Sequence, residues 1–119
     1  MNEINEIVSD IKSGRVKPIY LLTGEEPYYI DKISDFIEAN ILQEEEKEFN
    51  QTVMYGRDIE IEDIVGAAKR FPMMAEKQVI IIKEAQYLSR TIDKLAAYAK
   101  NPQPSTVLVL NYKYNKICP

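Results

Sequence analysis

At 119 residues the chain holds one ordinary domain, and 45% hydrophobic with 29% charged residues is a globular balance rather than a disordered one. The formal net charge is −4, and the cations Lys12, Arg15, Lys17, Lys32, Lys69, Arg70, Lys77 and Lys83 are scattered. That excludes a strong grip on DNA through phosphates, which needs a concentrated basic face. With no histidine and one cysteine, Cys118, the chain also lacks the commonest general base, the Ser-His and Cys-His nucleophile pairs, nearly every zinc site and any internal disulfide.

Ile4, Ile7, Val8 and Ile11 repeat at helical spacing, so the chain opens on an amphipathic helix closed by Gly14. Pro18 to Thr23 is a short apolar run between Pro18 and Gly24, which predicts a buried strand. Helical periodicity resumes with Tyr29, Ile30, Ile33, Phe36 and Ile37, and Pro27 suits a first helical turn. The acidic run Gln43 to Glu48 predicts a solvated helix end or loop. Phe49, Gln51, Val53 and Tyr55 then alternate as a strand with one buried face, at or near a sheet edge.

After Gly56 a helix is expected from Ile61 to Arg70 on the spacing of Ile61, Ile64, Val65 and Ala68, with Pro72 ending it. Val79 to Ile82 is a β-branched run expected to be a buried strand. Ile92, Leu95, Ala96 and Ala99 mark another helix, and Thr106 to Leu110 the last strand. Helices alternating with apolar strands predict an α/β fold, a mainly parallel sheet flanked by helices. The domain is expected to span 1–114, with 115–119 an unstructured tail. A chain stopping just after a central strand reads as cut short. No apolar run is long enough for a bilayer, and the N-terminus has no leader pattern, so a cytoplasmic location away from membranes is expected.

The link Phe71-Pro72-Met73-Met74 is the most informative stretch, because loops normally run over the surface and this one is apolar. Methionine is flexible and polarizable, as suits adaptable binding surfaces. The residues leave two readings open: an exposed contact for a partner, or methionines folded back into the domain's own core.

Two nucleotide-binding elements are expected to be degenerate. After the first strand, Gly24-Glu25-Glu26-Pro27 offers one glycine, no Gly-Lys-Ser/Thr, two carboxylates that repel phosphate, and a proline that removes a donor. At the end of the third strand Lys83 occupies the position of a metal-holding acid, and the adjacent Glu84 reads as the first acid of a helix rather than a catalytic group. Glu62/Asp63 and Glu25/Glu26 are adjacent acids that do not face one another. No catalytic residue, cofactor or metal site is expected.

Lys17 to Ile30, followed by Arg70 to Ile82, resembles the delta subunit of bacterial DNA polymerase III, a clamp-loader subunit, and the likeness extends to Tyr114. The resemblance implies an AAA+-type, P-loop NTPase-like N-terminal domain with a degenerate nucleotide site. Its implied task is non-catalytic: to bind the sliding clamp and help open it during DNA replication, within the DNA polymerase III holoenzyme, a nucleotidyltransferase. Carried over by position, the family's apolar pair falls on Met73 and Met74, where Leu or Phe is commoner, with Pro72 shaping the turn and Phe71 flanking it. The family's lid and collar domains, which meet the other loader subunits, are absent from this sequence, and DNA contact is implied only indirectly. The alternatives are an active P-loop-type ATPase domain and a fragment of a DNA-binding protein.

Overall fold

The computed structural model describes residues 2–24 and 26–113. Four apolar runs become the strands β1 (Ile19–Gly24), β2 (Gln51–Tyr55), β3 (Gln78–Lys83) and β4 (Thr106–Lys113). They form one sheet in the order β1-β4-β3-β2, with every pairing parallel. The register sets Thr52 opposite Ile80 and Ile80 opposite Leu108.

Side chains alternate across a strand, so the inner strands feed two cores at once. Ile80, Ile82, Leu108 and Leu110 point to one face, where they pack with α4 (Ile61–Ala68) and with Leu95 and Tyr98 around the short α5 (Ala96–Lys100). Val79, Ile81, Val107 and Val109 point to the other, against α1 (Asn2–Lys12) and α2 (Pro27–Asn40). A sheet covered on both faces explains why β3 and β4 read as continuous apolar runs.

Local chemistry sets the helix ends. The Gly14 N–H, at φ 85°, reaches the Ile11 carbonyl at 3.1 Å and closes α1. Pro27 occupies the first turn of α2. A reciprocal cap between Gln43 and Glu46 starts α3 (Glu44–Asn50), and the equivalent pair Glu60 and Asp63 starts α4.

Four expectations need correction. Phe49 lies in α3 and is exposed, not an inward strand residue, because the capped acidic helix runs directly into β2 at Gln51. Strand β1 is buried on one side only: it is an edge strand among the described residues, with Leu21 and Thr23 exposed. An apolar groove of about 430 Å³ runs between β1 and α5. Helix α4 ends at Ala68, before Pro72, with Lys69 as its cap. The last helical segment begins as a 3₁₀ turn, Ile92–Leu95, and buries Leu95 and Tyr98 while Ala96 and Ala99 are exposed. The expected tail 115–119 and Glu25 lie outside the described residues.

Candidate protein-binding site

The link between α4 and β3 is fixed at both ends. Thr106 Oγ1 donates to the Ala68 carbonyl at 2.6 Å, and the Gln78 carboxamide nitrogen reaches the carbonyls of Ala67 (3.1 Å) and Arg70 (2.7 Å). Gln103 Nε2 donates to the same Arg70 carbonyl at 2.7 Å. These side chains take the carbonyls that a helix end leaves without partners. The start of the link is therefore held against the strands.

Its middle is held by a residue that sequence reasoning missed. Asn50, 3% exposed, accepts the Met73 N–H on Oδ1 at 2.6 Å and donates from Nδ2 to the Met73 carbonyl at 2.9 Å. Nδ2 also donates to the Glu46 carbonyl at 3.0 Å, so both of its hydrogens are used. A buried carboxamide thus pairs with one residue's main chain much as a neighbouring strand would. No local pattern in the sequence marks it, because its partner lies 23 residues further on.

Directly after this clamp the backbone turns left-handed at Met74, φ 57°. A non-glycine residue there costs roughly 1–2 kcal/mol, and the fixed main chain on its N-terminal side holds it in place. The turn projects the side chains outward: Phe71 is 78% exposed, Met73 61% and Met74 100%, with Pro72 half-buried beneath them. The methionines are not gap-fillers in the core. What the arrangement can do is present an apolar tip to another surface, with Lys69, Arg70 and Glu76 exposed around it.

The second group of predicted residues sits at the opposite end of the sheet, where the parallel strands finish. Gly24, φ 146°, ends β1, and Glu26 precedes α2 without capping it through its side chain. Lys83 ends β3 and Glu84 follows in a left-handed conformation, φ 56°, ahead of the 3₁₀ turn Ala85–Leu88. Glu84 pairs with Arg57 at 3.6 Å, and the guanidinium stacks over the Tyr87 ring, 5.0 Å from its centroid. The hydrogen bond to Tyr87, then the Glu84 charge, raise the Arg57 pKa further above its ordinary value. A Cβ at Gly56 would overlap the Glu84 carbonyl, so glycine is required for this close approach.

Asp31, Asp35, Tyr55, Lys83, Glu84, Asn111 and Lys113 line a polar cavity of about 390 Å³ there, with Lys113 paired to Asp31 at 2.9 Å. Asp31, Asp35 and Glu84 share that wall with Lys83 and Lys113, so its charges nearly balance. Among the described residues no cluster of acids or cysteines is placed to hold a metal ion. The six residues of β3, at about 3.3 Å each, keep this end of the sheet roughly 20 Å from the methionine tip.

The architecture is that of a layered parallel α/β domain whose most exposed apolar residues stand on a locked loop rather than in a cleft. The chain belongs to the family described as DNA polymerase III, delta subunit, whose model matches residues 20–118. This is the clamp-loader delta subunit family of bacterial DNA replication. The DNA polymerase III subunit delta of Bacillus subtilis (strain 168) is 27% identical over 121 residues, which cover 94% of this chain and 35% of that protein. The solved structure of the Bacillus subtilis DNA clamp loader delta protein superposes with a TM-score of 0.81 at 25% identity, covering 98% of this chain and 38% of that one. The chain spans little more than a third of either relative. No helix among the described residues is long and apolar enough to cross a membrane.

Proposed function

We propose that this domain binds the DNA sliding clamp through Met73 and Met74, with Pro72 and Phe71 shaping and flanking the contact, and that this contact helps to open the ring. The observation that carries the reading is the full exposure of Met74 on a turn that Asn50 locks from behind. A main chain fixed in advance loses little further freedom when the tip enters a pocket, which is the general advantage of preorganisation. Burying each methionine contributes about 1.5–3 kcal/mol before association costs. Ring opening then needs only that the tip fit the open clamp better than the closed one, since differential affinity shifts the population.

The same reading makes the domain non-catalytic. The loop Gly24-Glu25-Glu26 and the pair Lys83-Glu84 are the remnants of a nucleotide site, a reading supported by the single glycine after β1, the lack of a Gly-Lys-Ser/Thr run and the lysine where a metal-holding acid would stand. Partners beyond the clamp are the other loader subunits, with DNA contacted only indirectly and the work done in the cytoplasm.

The test is a titration of the chain against the sliding clamp of its own organism, alongside the double variant Met73→Ala plus Met74→Ala. Binding is expected to weaken at least tenfold, about 1.4 kcal/mol or more, with an unchanged melting temperature. Unchanged affinity overturns the site.

A further inference from the structure

Phe49 is 66% exposed at the end of α3, a helix whose other residues, apart from Asn50, are all charged. Its neighbour Asn50 holds the Met73 main chain at 2.6 and 2.9 Å. Adjacent Cα atoms are about 3.8 Å apart, and an asparagine side chain with its hydrogen bond adds several ångströms more, so Phe49 stands on the order of 10 Å from the Met73 backbone. A partner surface covering roughly 800 Å² per side is about 30 Å across and spans both.

We propose that the end of α3 is the second half of the contact, with Phe49 an aromatic anchor beside Met73 and Met74. This rests on the clamp-binding reading and extends it to a residue outside the α4–β3 link. The two halves keep a constant spacing, because the Asn50 bonds tie the helix end to the loop. The face of α3 also states the chemistry of the occupant. Glu45, four residues before Phe49 and hence on its side of the helix, is exposed, as is Glu48. The surface that receives Phe49 is therefore apolar at its centre and cationic on the α3 side.

The experiment titrates the full chain against the sliding clamp for Phe49→Ala, Glu45→Lys, Met73→Ala plus Met74→Ala, and Tyr28→Ala. Tyr28 is an exposed aromatic at the opposite end of the sheet, where α2 begins. Phe49→Ala is expected to weaken binding about fivefold, roughly 1 kcal/mol. Glu45→Lys should weaken it about threefold at low salt and less at high salt. Tyr28→Ala should change nothing, and all four should melt near the parent temperature. Parent-like affinity of Phe49→Ala beside a weakened methionine variant overturns the α3 half and leaves the tip standing. Silence of both variants overturns the underlying reading together with its extension. A loss on Phe49→Ala without one on the methionine variant overturns the shared surface.

Discussion

The Asn50 carboxamide is paired with the main chain of Met73, 23 residues further on, through an accepted bond of 2.6 Å and a donated bond of 2.9 Å. Asn50→Ala leaves a buried donor and acceptor short of partners, a loss of about 1–3 kcal/mol in unfolding free energy. It also unlocks the turn, so clamp affinity is expected to fall although Asn50 itself, buried, touches no partner. Asn50→Asp keeps the acceptor for the Met73 N–H and loses the donor, and should fall between parent and Asn50→Ala in affinity. Thermal melts with clamp titrations check the order; equal affinity for all three would sink a positioning role for Asn50.

Met74 sets stability against binding. At φ 57° its Cβ is strained, and its side chain makes no use of the domain's own core. Met74→Gly removes that strain of roughly 1–2 kcal/mol, partly offset by extra freedom in the unfolded chain. The melting temperature should be the same or slightly higher while clamp binding weakens severalfold. A clear drop in melting temperature would show that Met74 supports the fold.

How much of this was legible beforehand differs by element. The runs Val79 to Ile82 and Thr106 to Leu110 announce buried parallel strands because both faces of the sheet are covered, and they are inner strands as read. The apolar link was equally plain, since Phe71, Met73 and Met74 stand where polar residues are usual. Phe49 was misread because alternation with Gln51, Val53 and Tyr55 mimics a strand, and no glycine or proline separates α3 from β2. Asn50 could not be read at all: its role depends on meeting Met73 through the fold, and side-chain pairing at that sequence distance leaves no local pattern. The one-sided burial of β1 was hidden for a related reason, as Leu21 is apolar yet exposed.

The end of the sheet at Gly24 and Lys83 gives a sharp negative prediction. A ligand at one hundred times its dissociation constant raises stability by about 2.7 kcal/mol, several degrees in a domain of this size. Millimolar ATP with magnesium should leave the melting temperature of the chain unmoved, given one glycine and no Gly-Lys-Ser/Thr after β1 and a lysine, Lys83, at the end of β3. A magnesium-dependent rise would restore the active-ATPase alternative.

Tyr20 supplies a pH test of the core beneath β1. Burial raises its pKa above the ordinary value, opposed by the hydrogen bond that the Lys17 N–H donates to its hydroxyl at 3.0 Å and reinforced by Asp10. A raised folded-state value means that the neutral phenol is the form the fold prefers. Its contribution is complete below the unfolded value near pH 10 and is lost as pH climbs through the folded value. Tyr20→Phe forfeits the hydrogen bond, about 0.5–1.5 kcal/mol at neutral pH, and has no phenol to ionise. Denaturant unfolding from pH 8 to 11.5 should therefore show the parent more stable at pH 8 and falling more steeply above pH 10, so that the two curves converge. Curves that stay parallel would mean that Tyr20 ionises as readily in the folded chain as in the unfolded one.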